Sequence, residues 1–469
     1  MLVWLAVAGL VVGLIAGVTS GPLWLDETLS VNIATLPLSQ VPGALRVDGA
    51  PPLYYLLLHA WAAAFGTGAW AVRLLTVTLT PIALLLAHRL GRRLGGVATG
   101  RAAVIVLASL PWTMRFFSET RMYGLVVVLV LAGALALLRV REAASRGRTA
   151  ALAVLVTALL LTHYWSLFLL AAVGLWHLPG ALRRRTPDLQ VVSALLLGGV
   201  LFTPWLPTFV FQALHTGAPW ARPPGLVALV QTPTFWGGGV FGGRVVLAVL
   251  LVGLAVAGAM RVRAARVLAL VALATLLLAW GQTATLGGAY TGRYTAVAVP
   301  LVAAAAAVGA SRSGRAGIVA LVMLATVGVG TGVPAAAASR TAAAGIAAAV
   351  RSAAGPGAVV AYCPDQLAPA VQRLLGPGYR GVVYPTLGPP ERVDWVDYAA
   401  RQDAADPRAI ARRLDTLAGS RELLVLKASG FRTFGRQCEA LLAELINVRG
   451  PATLLFGKAG TTDQLLYAF

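Results

Sequence analysis

Charge is what this sequence has least of. Of its 469 residues, 12% are Asp, Glu, Lys or Arg, about half the share found in soluble globular domains. So few charges cannot cover a water-facing surface of this size, which excludes an ordinary soluble enzyme, a disordered chain and a coiled coil. Acids are the scarcest. The first 335 residues hold only Asp26, Glu27, Asp48, Glu119, Glu142 and Asp188, and the other eleven acids follow Arg340. Lysine is almost missing, with Lys427 and Lys458 alone, a compositional bias that carries no functional signal. There are two cysteines, Cys363 and Cys438, and no Cys/His spacing that suggests a zinc site. The first apolar run, Met1 to about Thr19, lacks a basic leader and a convincing cleavage site, so it reads as a retained helix. No internal repeat is visible.

What the sequence does have is apolar length. Apolar side chains make up 58% of it and the mean hydropathy is +0.79. A bilayer span needs about 20 such residues. Besides 1–19, candidate runs are 69–90, 97–114, 121–139, 149–165, 166–182, 190–206, 244–260, 266–281, 294–311 and 315–334, about eleven spans in all. The net charge of +21 would suggest nucleic acid out of context, but the distribution excludes it. Sixteen basic residues fall in five clusters between apolar runs: Arg89 to Arg101, Arg139 to Arg148, Arg183 to Arg185, Arg261 to Arg266, and Arg312 with Arg315. They recur at every second turn, as cytoplasmic orientation signals do. The remaining loops up to residue 335 hold seven: Arg46, Arg73, Arg115, Arg121, Arg222, Arg244 and Arg293. A polytopic membrane protein of the plasma membrane, with those loops outside, is the expected class.

Pro51 to Phe65 is apolar but short, and counting it as a span would reverse every later cluster; a juxtamembrane helix on the outer face fits it. The composition changes near residue 335. Residues 358–362, 381–384, 422–427, 453–456 and 465–469 read as strands, and 366–375, 407–417 and 432–448 as helices. The expected organisation is a membrane module, 1–335, with outer loops 20–68, 115–121, 207–243 and 282–293, then an extracytoplasmic α/β domain, 336–469. Outside the cytoplasm a Cys363–Cys438 disulfide is permitted and expected, against two buried free thiols.

Four acids, Asp26, Glu27, Asp48 and Glu119, gather on the outer face, whereas Glu142 and Asp188 lie among arginine clusters as charge balance. The outer loops read Trp24-Leu25-Asp26-Glu27-Thr28, then Asp48-Gly49-Ala50-Pro51-Pro52-Leu53-Tyr54-Tyr55 through His59, then Ser118-Glu119-Thr120-Arg121-Met122-Tyr123, and later Gly292-Arg293-Tyr294. Each residue also has an ordinary explanation. Arg293 could snorkel, Arg121 could pair with Glu119, Tyr55 and Tyr294 could be interfacial belt aromatics, and His59 could be a satisfied core residue. His163 and Trp165 could line a cleft or the belt. The loop 207–243, with Trp220, Arg222 and Trp236, is long for a structureless connection and reads as a lid on the acceptor side.

Taken in order on one membrane face, these motifs resemble the GT-C membrane glycosyltransferases of the dolichyl-phosphate-mannose protein mannosyltransferase kind, glycosyltransferase family 39, over roughly residues 1–310. Ala50 stands where that family often has His, and the C-terminal domain does not resemble the β-rich domain of its eukaryotic members. The resemblance implies inverting transfer of a sugar, usually mannose, from a polyprenyl-phosphate donor to a hydroxyl of a glycolipid, polysaccharide or protein. It implies a carboxylate base, for which Asp26 is the choice, with Glu27 and Glu119 orienting it or binding sugar hydroxyls. Arg293 and Arg121, with Arg115, match a phosphate, and Asp48, Tyr55, His59, His163 and Tyr294 complete the donor and substrate contacts. No cofactor is required, although the Asp-Glu pair could hold a divalent cation. A transporter or flippase of a lipid-linked sugar would place ionisable groups near the midplane instead, and an assembly scaffold would not need the Asp-Glu or Arg-Tyr residues.

Overall fold

The protein is described here by a computed structural model covering residues 1–238, 241–458 and 464–469. It divides into two compact units: residues 1–20, 50–209 and 223–338 form the first, and 21–49, 210–222 and 339–469 the second. The units are therefore not consecutive stretches of chain. Residues 21–49, read from the sequence as part of the membrane module, pack with the C-terminal domain, as do 210–222.

The first unit is helical, because a backbone in hydrocarbon must satisfy its own polar groups. Six helices are long and apolar enough to cross a membrane: Ala69–Gly95, Tyr123–Glu142, Thr186–His215, Gly243–Arg261, Arg263–Leu286 and Gly314–Ala337. The other five candidate runs form shorter helices, Leu2–Val18, Val97–Ser109, Arg146–Leu160, Ser166–Leu182 and Val299–Ser311. Two of these short helices are the most enclosed. Val97–Ser109 and Val299–Ser311 are buried nearly all round, as expected of helices apolar on every face, whereas Leu196, Val200, Val249 and Ile318 of the longer helices stay exposed. Small residues allow the closest approach. A Cβ on Gly309 would lie 1.9 Å from the Leu254 carbonyl oxygen, and one on Gly258 would lie 2.1 Å from that of Ala305. The expected juxtamembrane segment is the helix Leu53–Phe65. The 207–243 loop is not structureless: its first residues continue the Thr186–His215 helix, and the helices Leu226–Val230 and Thr232–Gly237 follow, the last with Pro233 at an early helical position where its missing N–H costs nothing. Its residues 239–240 lie outside the described residues.

The arginine clusters meet at one end of this unit. Arg93 pairs with Glu142 at 2.7 Å and Arg141 with Asp188 at 2.9 Å. Asp188 also accepts from His177 at 2.7 Å. Thr149 bonds Gln190 at 2.9 Å, and Thr99 bonds Ser311 at 2.7 Å. The two acids assigned to charge balance are thus ion-paired to cluster arginines.

The second unit is an α/β layer structure. Its sheet comprises β1 (Val359–Cys363), β2 (Arg380–Val383), β3 (Leu423–Ala428), β4 (Thr453–Lys458) and β5 (Gln464–Ala468), ordered β2-β1-β3-β5-β4. β1 runs parallel to β2 and β3, whereas β5 is antiparallel to β3 and β4. Alternate residues face opposite layers. Val359, Ala361, Cys363, Leu423 and Val425 pack with the helices Pro407–Ala418 and Gln437–Arg449, and Leu29 joins them. Val360, Tyr362, Leu424 and Leu426 pack on the other face with Ala343–Ala353 and Ala368–Leu375. Every strand and helix expected from the sequence in this domain has its counterpart within a few residues. Cys363 and Cys438 are joined as a disulfide.

Candidate active site

The predicted site residues fall into two groups, one in each unit. In the second unit, Asp26 and Glu27 open the helix Leu25–Ala34. Carboxylates at a helix N-terminus meet unsatisfied N–H groups and the positive end of the dipole. Glu27 is fully buried, and its Oε2 accepts from the Trp24 backbone N–H at 3.4 Å, the returning half of a capping box. The Thr28 and Ser30 hydroxyls turn back onto the Trp24 and Asp26 carbonyls at 3.0 and 2.8 Å. Asp26 stays partly exposed, so the neighbouring carboxylates differ: one serves the helix start, and the other is accessible. The same helix is tied to its unit by Asn32, which donates to the Glu391 carbonyl at 2.7 Å. Asp48 ends the helix Val41–Asp48, and Gly49 follows in the left-handed conformation at φ 86°, where a side chain would be strained.

In the first unit, Tyr54 and Tyr55 begin the helix Leu53–Phe65, and both are buried. The Leu53 N–H donates to the Leu161 carbonyl at 2.8 Å, which docks this helix on the turn that carries His163. Arg121 donates to the Tyr55 hydroxyl at 3.5 Å, and His59, half-buried, lies one turn beyond Tyr55 on the same helix face. Glu119 is fully buried in the turn after the helix Pro111–Phe116, where its carbonyl accepts from the Arg121 N–H at 2.7 Å.

A row of rings continues from there. Phe116 meets Tyr123 at 5.1 Å between centroids, Tyr123 meets His163 at 5.8 Å, and His163 meets Tyr294 edge-on at 5.2 Å. Trp165 lies against both Tyr294 and Tyr290. His163 sits in the turn outside the flanking helices Arg146–Leu160 and Ser166–Leu182. Burial, and then the positive charges of Arg121 and Arg293, lower its pKa to about 3. The Trp165 N–H donates to its Nδ1 at 3.1 Å, so the neutral ring carries its proton on Nε2. Arg293 is half-buried, with its guanidinium carbon 5.5 Å from the Tyr294 ring centroid.

The Gly292-Arg293-Tyr294 turn is held by residues that sequence reasoning did not single out as a group. The Trp236 indole donates to the Thr295 hydroxyl at 2.7 Å, which donates to the Gly292 carbonyl at 2.6 Å. Thr232 bonds the Tyr290 hydroxyl at 2.9 Å. A Cβ on Gly292 would fall 2.0 Å from the Phe235 ring, so the turn needs glycine for packing. Gln231, Thr232, Thr234, Arg244 and Tyr290 line a polar cavity of about 260 Å³ beside it. The available signal was the Thr-Pro-Thr-Phe-Trp run in an unusually long loop.

Glu119, Arg121, Tyr55, His59, His163, Arg293 and Tyr294 therefore belong to the first unit, and Asp26, Glu27 and Asp48 to the second. Among the described residues, no group of three or more His, Cys, Asp or Glu could hold a metal ion.

No protein-family model and no curated protein sequence matches the chain. Solved structures do. ArnT from Cupriavidus metallidurans in the apo state superposes with a TM-score of 0.64 at 14% identity, covering 98% of this chain and 97% of that one. The same protein bound to undecaprenyl phosphate gives 0.65 at 12% identity, covering 99% and 97%. The arabinofuranosyltransferase AftD from Mycobacteria gives 0.54 at 15% identity, covering 99% of this chain and 40% of that one. A likeness that spans nearly the whole of this chain at so low an identity is a likeness of fold, and it makes this chain a multi-pass membrane protein of the GT-C fold.

Proposed function

We propose that the protein transfers a sugar from a polyprenyl-phosphate donor to a hydroxyl acceptor outside the cytoplasm, with inversion. The observation that carries this reading is the pair of guanidinium groups, Arg121 and Arg293, whose charges both act on a neutral histidine in an aromatic-lined site. The site lies at the end of the first unit away from the arginine clusters, since the Tyr123–Glu142 helix connects the two. Two fixed cations near a membrane surface suit a lipid phosphate, and the solved ArnT structure with undecaprenyl phosphate is a fold relative that binds such a lipid. The positive-inside distribution supports an extracytoplasmic orientation for this end at the plasma membrane.

In the reaction, the acceptor oxygen attacks the anomeric carbon from the face opposite the phosphate. The bond from that carbon to the phosphate oxygen breaks, and polyprenyl phosphate leaves with its added charge on Arg293 and Arg121. Asp26 takes the acceptor proton; it is the accessible member of the Asp-Glu pair, whereas Glu27 is committed to the helix start. Glu119, Asp48, Tyr55, His59, His163 and Tyr294 bind the donor head and sugar hydroxyls, and the 207–243 segment covers the acceptor side. Mannose is the sugar that the family resemblance implies, and the acceptor is a glycolipid, polysaccharide or protein. The test is to incubate purified protein with a panel of polyprenyl-phosphate sugars and measure which is consumed. Consumption of the mannosyl donor supports the reading, consumption of another sugar only replaces the mannose assignment, and consumption of none overturns the enzyme.

A further inference from the structure

A second, larger cavity of about 440 Å³ lies within the helices of the first unit, and its wall is uneven in chemistry. Of its lining residues only Arg141, His177 and Arg263 carry an ionisable side chain; the rest are apolar apart from Gly133 and the Trp176 ring. Arg141 and His177 lie 3.2 Å apart at the arginine-rich end, and Arg263 is the first residue of the helix Arg263–Leu286, in the fourth arginine cluster. The cavity is therefore a hydrocarbon slot with a cationic mouth. Asp188 answers the charge of Arg141 at 2.9 Å. Arg263 is exposed and has no ion-pair partner among the described residues. No side chain caps its helix, so backbone N–H groups there add to the preference for an anion. Trp176, also at the mouth, is half-exposed, the usual place for an interfacial ring.

The depth matches one leaflet. From Arg141 back to Val130 the lining follows eleven residues of one helix, about 16 Å. From Arg263 to Val271, and from His177 back to Leu169, it follows eight residues, about 12 Å. The hydrocarbon core is about 30 Å thick, so its half is about 15 Å. The candidate donor site lies at the far end: Tyr123 is 18 residues, about 27 Å, from Arg141 on the same helix.

We propose that this cavity is a binding site for an anionic glycerophospholipid of the arginine-rich leaflet, with an acyl chain in the slot and the phosphate on Arg263 and Arg141. Basic pockets between membrane helices hold anionic headgroups in this way. The lipid is a resident of the fold and is distinct from the sugar donor, so the assignment does not rest on the reaction proposed above.

Gly133 supplies the test. A Cβ there would meet nothing within 4 Å, so Gly133→Leu extends into the slot without displacing backbone. Full-length protein, delipidated in detergent, is titrated with phosphatidylglycerol, phosphatidylcholine and undecaprenyl phosphate, and bound lipid is read by native mass spectrometry. The expected result is phosphatidylglycerol bound about tenfold more tightly than phosphatidylcholine, with Arg263→Ala removing that preference, Arg263→Lys largely restoring it, and Gly133→Leu abolishing both lipids at this site. Arg263 is exposed, so its variants test the headgroup without disturbing the core. Equal binding of the two phospholipids, or no effect of Gly133→Leu, overturns the proposal. So does undecaprenyl phosphate displacing phosphatidylglycerol from the Gly133→Leu-sensitive site, which would make the slot the donor's own groove.

Discussion

The two ends of the helical unit use arginine differently. At one end Arg93 and Arg141 meet Glu142 and Asp188 in ion pairs whose members include solvent-exposed side chains. At the other, Arg121 reaches a tyrosine hydroxyl, Arg293 lies by a tyrosine ring, and both act on a buried neutral histidine. The first arrangement ties helix ends together through ion pairs. The second sets positive charge beside aromatic rings. The contrast teaches that the surroundings of an arginine, more than the number of arginines, set which contacts it makes.

The contrast is broken most directly through the carboxylate assigned to the proton. Asp26→Asn is nearly isosteric, and loss of general-base catalysis costs about 10²–10⁴ in rate. Turnover should fall by that factor while donor binding persists. Near-normal turnover, with Glu119→Gln or Glu27→Gln inactive instead, would move the base elsewhere. Next is the cation. Arg293→Ala should weaken donor affinity about 10- to 150-fold, the worth of a charge-assisted contact. Arg293→Lys should fall between, since it keeps the charge and loses the fork; unchanged affinity in the Ala variant would make Arg293 a membrane anchor.

A buried acid outside the site gives a control of intermediate size. Asp365 of the α/β unit accepts a hydrogen bond from Tyr398, yet burial raises its pKa to about 7. Its folded-state pKa is raised, so its contribution to stability is complete below the unfolded pKa of about 4 and is lost as pH rises through 7. Between pH 5 and 7 the unit should lose about 2 kcal/mol, and Asp365→Asn should flatten that slope. Hydrogen exchange in Val359–Cys363 of the full-length protein, corrected for the intrinsic pH effect, reads it; an equal slope in the variant would remove Asp365 as the cause. The smallest effect belongs to the end that bears the arginine clusters. Glu142→Gln breaks an exposed ion pair worth less than about 1 kcal/mol, and activity should stay within about twofold. A large loss of turnover there would erase the distinction between the ends.

Local pattern was legible wherever it was regular. Apolar length marked the helices, the alternation of arginine clusters marked one end, and short continuous apolar runs marked β1 and β3, which are buried almost throughout. The disulfide partners were the only pair the chain contains. The candidate site residues could be picked out because an acid or arginine in a charge-poor chain stands out. What local pattern did not reach is where loops pack. The helix Leu25–Ala34 belongs with residues more than 300 positions away, through contacts such as Asn32 with Glu391.

By itself, then, the order of residues determined that this chain crosses a membrane, which end bears the arginine clusters, and that an α/β domain follows, because hydropathy and charge bias act on each segment alone. Tertiary structure alone decided that Glu27 is buried at a helix start while Asp26 is not, that His163 lies neutral near two guanidinium groups, that Trp236 and Phe235 hold the Arg293 turn, and that a slot opens beside Gly133. Each of these depends on which distant side chains share one enclosed space, and burial and charge within that space are properties of the packed chain.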